Sequence, residues 1–356
     1  MQKSSVFSAL TALAAVLSLF VAFNPNATAA TSSMPGFLAS GSSFLGLTAP
    51  VVTADTDTSP DCTDQTDLAA SDRPICSNSN AWRFLNYAHT IGPGTRILRA
   101  TAGGNGQSTS CSIGWIGKYQ LGSTTYDPVI YTAGHCGGVG SKWYYLKAKD
   151  NDPTGQRYDQ VYLGQTVMNY SCTYAPESSN CTSSGNMLDY DLSVIQIDPA
   201  FAQAHANDGT IQPALTRAEM DNIVNPIKAI NGWDFTGYDL SNLEWGAPMS
   251  YDEINEENPL ICRLGWKTGM SCGVKSSTVS GTSTLTQFLM SFTTTASTGD
   301  SGGTVFAVTK TGLRPVGIHT SSWKSNDSST QYATAALLLE PILSGAVTGM
   351  SLYTAN

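Results

Sequence analysis

From about Ile97 onward, short apolar runs alternate with turn residues such as Gly, Asp, Asn and Pro. The clearest runs are Val129-Ile130-Tyr131, Gln160-Val161-Tyr162-Leu163, Leu192 to Ile197 and Gly303 to Val308. Many short strands separated by regular turn signals are typical of a β-barrel or a β-sandwich. One stretch favours a helix instead, because Thr216-Arg217-Ala218-Glu219 has the form of a capping box. The pattern predicts an all-β domain with one helical interruption.

The N-terminal part of the chain has a different character. Residues 1–30 contain Lys3, an apolar core from about Ala9 to Phe23, and a small-residue cleavage site at Ala27-Thr28-Ala29, which is the form of a signal peptide. From Ala30 to about Ala81 the chain is rich in Ser, Thr, Asp and Ala and too polar to pack a core, so we expect 31–96 to be a polar pro-segment or N-terminal extension. The protein is therefore expected to be secreted into an extracellular, oxidising space.

Composition and charge narrow the function classes. The net charge is −9 and no basic run occurs, so we expect neither nucleic acid nor, after signal removal, a membrane as partner. No Cys or His spacing matches a zinc site, so we expect no metal and no cofactor. Three tripeptides, starting at Asn169, Asn180 and Asn326, match the N-glycosylation sequon, a short motif that also occurs by chance in a chain rich in Ser and Thr.

Three short motifs contain a histidine, an aspartate and a serine in that chain order. They are Tyr131-Thr132-Ala133-Gly134-His135-Cys136, Asp189-Tyr190-Asp191-Leu192-Ser193-Val194 and Thr298-Gly299-Asp300-Ser301-Gly302-Gly303. A serine hydroxyl becomes an effective nucleophile when an imidazole takes its proton and a carboxylate orients that imidazole. The glycines around Ser301 also suit an oxyanion hole, because they allow a tight turn and leave room for a substrate carbonyl.

The segment Gly299 to Gly303 also fits the G-x-S-x-G nucleophile elbow of α/β-hydrolases. In that fold an acidic residue and then a histidine follow the serine in the chain. Only His319 follows Ser301, and no Asp or Glu lies between them. The chain order therefore excludes the elbow and favours a triad that ends at Ser301.

Together with two cysteine blocks, these motifs resemble the trypsin/chymotrypsin-type serine proteases, especially the bacterial secreted branch of streptogrisins and α-lytic protease. Cys111-Ser112-Ile113-Gly114-Trp115 is similar to the start of their first barrel, and Cys262 to Gly273 resembles a disulfide loop of their second. The resemblance implies two six-stranded antiparallel β-barrels with the active site in the cleft between them. It covers a domain at 97–356, with an inter-barrel segment at about 199–258. It also implies a monomer that acts on protein or peptide substrates.

The resemblance assigns roles to individual residues. His135 would be the general base and Ser301 the nucleophile. Asp191 rather than Asp189 would orient the base, because the acid of this family directly precedes an apolar-small-apolar strand. The backbone N–H groups of Gly299 and Ser301 would form the oxyanion hole.

The resemblance further implies two disulfides and a maturation step. The pairs would be Cys111–Cys136 and Cys262–Cys272, and the remaining cysteines then form two local pairs, Cys62–Cys76 and Cys172–Cys181. Cleavage is expected near Arg96-Ile97, at a distance before Cys111 similar to that in bacterial relatives. Asp300 would bind either a newly cut N-terminus or an internal arginine, and both alternatives stay open.

The primary specificity pocket is inferred in the same way. Thr295 would lie at its floor and carries no charge, which disfavours cleavage after Lys or Arg. His319, just before Thr320 in the wall strand, is similar to the histidine with which bacterial glutamyl endopeptidases bind an acidic side chain. Thr298 and Ser322 would supply the neighbouring hydroxyl donors. We expect cleavage after Glu or Asp, with a preference for a small or medium apolar residue as the alternative.

Two other functions are compatible with the same scaffold. A catalytically silent binding or adhesion protein would be favoured by a missing triad member, but His135, Asp191 and Ser301 are all present. An esterase would use the same three residues. The complete triad favours a serine endopeptidase that works through an acyl-enzyme intermediate.

Overall fold

The computed structural model describes residues 90–99, 109–148, 158–171, 191–213, 234–239, 245–275, 289–292, 296, 298–324 and 332–353. The strands in this part of the chain are β1 Arg96–Arg99, β2 Thr109–Ser112, β3 Trp115–Leu121, β4 Thr124–Thr132, β5 Lys142–Ala148, β6 Tyr158–Asn169, β7 Ser193–Ile197, β8 Leu260–Gly265, β9 Gly269–Gly273, β10 Leu289–Phe292, β11 Thr304–Thr309, β12 Gly312–Lys324, β13 Tyr332–Leu338 and β14 Met350–Leu352. Helices α1 Pro199–Ala204 and α2 Tyr251–Glu257, a 3-10 turn at Gly134–Cys136, a helical turn at Leu339–Pro341 and a π-helical turn at Ile342–Ala346 complete the set.

The strands form two antiparallel sheets. The first has eight strands in the order β14-β3-β4-β7-β6-β5-β1-β2, and the second has six in the order β10-β13-β12-β11-β8-β9. The predicted all-β class with two antiparallel barrels is confirmed. The first sheet exceeds the expected six strands; its edges include β14, which pairs with β3, and β2, which pairs with β1.

Strand periodicity explains why whole strands are buried. Side chains of β11 alternate between two clusters, with Val305 and Ala307 in one and Phe306 and Val308 in the other. Successive side chains of a strand point to opposite faces, so a strand with core on both faces is apolar throughout. This accounts for the uninterrupted apolar run that the sequence shows here.

A shared core cluster joins the two sheets. It contains Trp115 and Tyr131 from the first sheet together with Leu264 and Phe306 from the second. The indole Nε1–H of Trp115 donates across the boundary to the carbonyl oxygen of Gly317, at 2.9 Å. Because aromatic side chains bury large apolar areas, this contact fixes the two sheets against each other close to the His and Ser motifs.

The folded part of the described chain begins before the expected domain start at Ile97. Ile91 is fully buried, and its backbone N–H and C=O bond to Thr210 and Gln212. Gly94 approaches Leu264 so closely that a Cβ would lie 2.6 Å from its Cγ. Residues 90–95, which we expected to belong to the polar extension, therefore pack against the folded domain.

Several expectations lie outside the described residues. These are the signal peptide at 1–30, the segment 31–89, and the predicted helix starting at Thr216. A capping box does occur elsewhere, at the start of α2, where Ser250 and Glu253 exchange side-chain and backbone hydrogen bonds. Among the described helices, none is long and apolar enough to span a membrane.

Candidate active site

His135 and Asp191 lie together at the ends of two paired strands. His135 occupies the 3-10 turn directly after β4, and Asp191 lies just before β7. Strands β4 and β7 are hydrogen-bonded neighbours with Thr132 opposite Ser193, so their ends converge. His135 Nδ1 is 2.7 Å from Asp191 Oδ2, and the backbone N–H of His135 donates to Asp191 Oδ1, also at 2.7 Å. The carboxylate therefore holds both the ring and the backbone of the histidine.

The environment of His135 favours its charged form. Burial alone would lower the pKa of His135, because an imidazolium loses solvation in the interior. The negative charge and the hydrogen bond of Asp191 act in the opposite direction and outweigh it, so the pKa of His135 is raised above its ordinary value. A histidine in this state can take up a proton during a reaction and hold it.

The turn that carries His135 is fixed by Asn169, which the sequence indicated only as the start of a sequon. Its Nδ2 donates to the carbonyl oxygens of Gly134 and Gly137, each at 2.8 Å, and its Oδ1 accepts from the backbone N–H of Ser171. Asn169 is only 5% exposed. With its amide buried and committed to backbone bonds, the sequon at Asn169 is not available for glycosylation in the folded protein.

Ser301 lies in a turn just before β11, beside the His135 turn. Its carbonyl oxygen accepts from the backbone N–H of Ser112 at 2.8 Å and lies 3.9 Å from Cys136 Sγ. Gly302 has φ +84°, and a Cβ there would lie 1.9 Å from Thr132 Oγ1. Only glycine allows this backbone and this close approach, so the loop can sit directly against the end of β4.

Gly299, on the other side of Ser301, also needs to be glycine. Its φ is +108°, and a Cβ would lie 2.8–2.9 Å from the indole of Trp266. The guanidinium of Arg96 covers the same indole, 4.0 Å from the ring centroid. The loop from Gly299 to Gly302 is thus supported by the Trp266 ring, which Arg96 holds in place.

Asp300 is neutralised by an internal arginine. Asp300 Oδ1 is 3.2 Å from Nη1 of Arg263, and both side chains are fully buried. The carboxylate also accepts from the backbone N–H groups of Lys267 and Thr268 and from Thr268 Oγ1. Burial, acting against the charge and hydrogen bond of Asp300, lowers the pKa of Arg263. Of the two alternatives left open by the sequence, the structure contains the arginine pair.

The residues expected to form the specificity pocket differ in their exposure to solvent. Thr298 is exposed, whereas His319 and Thr320 are buried. The His319 backbone bonds to the loop that carries Ser301: its C=O accepts from the Gly302 N–H at 2.7 Å, and its N–H donates to the Gly303 carbonyl oxygen at 2.8 Å. Ser322 lies in β12 opposite Thr334. Thr295 and Asp189 are outside the described residues.

Two of the expected disulfides are present. Cys111–Cys136 ties β2 to the His135 turn, and Cys262–Cys272 joins β8 to β9. These two pairings are confirmed. The pairs Cys62–Cys76 and Cys172–Cys181 fall outside the described residues.

The sequence does indicate that Arg263 has a buried partner. It is the one charged residue within the apolar strand Leu260–Gly265, and a charge in such a run requires a buried partner. Ser112, Asn169 and Trp266 carry no comparable signal, because each acts through a contact that depends on the tertiary fold.

No family model matches the chain, and no curated protein sequence matches it. Among solved structures, the chain is similar to chymotrypsin of Cellulomonas bogoriensis, with 16% identity, a TM-score of 0.38, and coverage of 74% of this chain and 100% of that one. It is similar to the thermostable serine protease AL20 from an extremophilic microorganism, at 12% identity, TM-score 0.34, and 68% and 89% coverage. For neuropsin, a serine protease expressed in the limbic system of mouse brain, the values are 10%, 0.33, 71% and 92%.

Proposed function

We propose that this chain is a secreted serine endopeptidase that cleaves peptide bonds with His135, Asp191 and Ser301. The observation that carries the proposal is the buried His135–Asp191 pair, joined by two 2.7 Å hydrogen bonds, beside the loop that bears a serine between close-packed glycines. With Nδ1 engaged by the carboxylate, Nε2 is the ring nitrogen that can take a proton.

The proposed reaction follows the chemistry of such a triad. Ser301 Oγ attacks the scissile carbonyl while His135 takes its proton, and the backbone N–H groups of Gly299 and Ser301 bind the oxyanion. His135 then protonates the leaving amine, and an acyl-enzyme remains on Ser301. Water, activated by the same histidine, releases the acid and restores the serine. Asp191 stabilises the imidazolium in both halves of the cycle.

For substrate specificity we propose cleavage after Glu or Asp. The backbone of His319 is bonded to the loop that carries Ser301, which supports a position for this residue in the wall of a pocket beside Ser301. An imidazole with hydroxyl donors from Thr298 and Ser322 can bind a carboxylate without a permanent buried cation. Thr320 would pair with the substrate backbone, and Thr295 would form an uncharged floor.

Maturation is proposed to need no new N-terminus at the active site. The Arg263 guanidinium already neutralises Asp300, so the oxyanion loop does not depend on an ammonium group released by cleavage. Export through residues 1–30 agrees with the two disulfides, since such bonds persist in oxidising compartments.

A peptide-library cleavage assay tests this function. The secreted protein and its Ser301→Ala variant would be incubated with a diverse library, and the residue before each cut would be mapped by mass spectrometry. We expect cuts after Glu or Asp that fall by at least roughly 10³-fold in the variant, because removing a triad member leaves only residual catalysis. Ser344→Ala, which removes an exposed hydroxyl elsewhere, is the matched control and should cut like the parent.

Each outcome separates the alternatives. Cuts after other residues that still require Ser301 would keep the endopeptidase and exclude His319 as the specificity residue. Turnover of ester substrates alone would indicate an esterase. Cleavage at the parent rate by a folded Ser301→Ala protein would refute the assignment of the nucleophile, and a folded, inert parent would favour a silent binding protein.

A further inference from the structure

Ser112 contacts both residues whose N–H groups form the proposed oxyanion hole. Its hydroxyl donates to the carbonyl oxygen of Gly299 at 2.9 Å, and its backbone N–H donates to the carbonyl oxygen of Ser301 at 2.8 Å. The same hydroxyl accepts from the backbone N–H of Trp266 at 3.1 Å. Ser112 is fully buried. One side chain and one peptide group therefore hold the carbonyls of both hole residues.

These bonds act on a backbone that has freedom to turn. Gly299 has φ +108°, and a glycine has no side chain that would oppose rotation of its peptide groups. The Trp266 ring limits movement on one side. The bond from Ser112 Oγ to the Gly299 carbonyl fixes the peptide plane between Gly299 and Asp300, which lies between the two peptides that carry the N–H groups of the proposed hole.

Ser112 is itself fixed relative to the general base. Its neighbour Cys111 is joined by a disulfide to Cys136, the neighbour of His135. Its carbonyl oxygen accepts from Thr132 Oγ1 at 2.8 Å, just ahead of the His135 turn. Ser112 thus fixes the position of the oxyanion loop relative to His135, across the boundary between the two sheets.

We propose that Ser112 is a positioning residue of this active site, and that its hydroxyl holds the oxyanion loop in register with His135. The inference rests on the proposed serine endopeptidase function. A donor contributes to catalysis only if it lies where the oxyanion charge develops, so a loop that rotates away loses transition-state stabilisation while substrate binding is retained. A hydroxyl that merely satisfied a buried carbonyl would affect stability and leave kcat per active site unchanged.

The test compares Ser112→Ala with the parent on a peptide p-nitroanilide that carries the residue mapped in the cleavage library. We expect kcat per titrated active site to fall roughly tenfold to a hundredfold, with KM within about twofold, because misplacing a catalytic group costs rate rather than ground-state binding. Affinity for a peptide aldehyde of the same sequence should fall by the same factor as kcat/KM, since its tetrahedral adduct occupies the oxyanion hole. The pH dependence of kcat/KM should not move, because the His135–Asp191 pair is untouched.

Thr309→Val is the matched control. It also removes a buried hydroxyl that donates to a backbone carbonyl, that of Gly312 at 2.9 Å, in the hairpin between β11 and β12 and away from the site. We expect a lower melting temperature with an unchanged kcat. If Ser112→Ala fails to fold, Thr132→Val takes its place, since it releases the Ser112 carbonyl; kcat should then fall several-fold at constant KM.

The outcomes distinguish failure of the positioning role from failure of the proposed function. An unchanged kcat in Ser112→Ala, or in Thr132→Val where that variant is needed, overturns the positioning role. So does a loss explained entirely by fewer titratable active sites. A parent with no Ser301-dependent turnover contradicts the proposed function itself, and the inference then falls with it.

Discussion

In the proposed mechanism, the pair formed by His135 and Asp191 determines how activity depends on pH. Asp191 is 5% exposed and His135 9% exposed, so their interaction is little screened by water. The pKa of His135 is raised by Asp191 against the effect of burial. Because the proposed base must be neutral to accept the Ser301 proton, we expect this pair to set the low-pH limit of activity.

We expect kcat/KM to rise with pH through the raised pKa of His135 and to level off above it. In Asp191→Asn only burial remains, so the pKa falls and the rising limb moves to lower pH, while kcat drops by roughly 10⁴-fold because the wrong tautomer is favoured. Asp208→Asn is the control, since Asp208 pairs with His205 at 2.6 Å on the surface. Profiles of parent and Asp191→Asn that superimpose would contradict this role.

At the scale of single elements, the β8–β9 hairpin encloses Asp300. Arg263 comes from within β8, and the turn after it supplies the N–H groups of Lys267 and Thr268. A buried ion pair contributes little net stability, but removal of one partner leaves an uncompensated charge in the interior. The hairpin therefore supports the loop that carries Ser301 through a buried ion pair, and removal of either charge alone would destabilise the fold.

Arg263→Met is expected to lower the free energy of unfolding by about 3–5 kcal/mol, measured by urea denaturation. The double variant Arg263→Met/Asp300→Asn removes both charges and should recover part of that loss. Lys118→Met is the control, because the Lys118–Asp127 pair is 48% and 37% exposed and such pairs contribute at most about 1 kcal/mol. Equal losses in Arg263→Met and Lys118→Met would contradict a buried, coupled pair.

The sequence predicted the elements better than the contacts between them. Short apolar runs and turn residues predicted the strands, and motif order predicted which histidine and aspartate meet at 2.7 Å. An internal arginine was one of two partners expected for Asp300, but its identity as Arg263 was not predicted, nor were the hydrogen bonds of Asn169 and Ser112. Each joins residues that are far apart in the chain, 187 positions in the case of Ser112 and Gly299, and local patterns do not report which surfaces meet.

The folded domain includes residues 90–96, which we expected to be removed by cleavage near Arg96-Ile97. Arg96 and Ile97 lie inside β1, which pairs with both β2 and β5, and Ile97 is fully buried. Ahead of them, Ile91 bridges to Ile211. A cut between Arg96 and Ile97 would interrupt β1 and detach the segment that contains the buried Ile91 from the rest of the chain.

We therefore expect the N-terminus of the mature secreted protein to lie upstream of Thr90, as read by intact-mass and N-terminal sequence analysis. The same packing predicts that Ile91→Ala lowers the free energy of unfolding by about 2–5 kcal/mol, because a fully buried isoleucine leaves a cavity. Val139→Ala, at a side chain that is 67% exposed, should change it by no more than about 0.5 kcal/mol. A mature protein that begins at Ile97, or an Ile91→Ala variant as stable as the parent, would show that residues 90–96 are dispensable. The boundary would then return to the position that the sequence favoured.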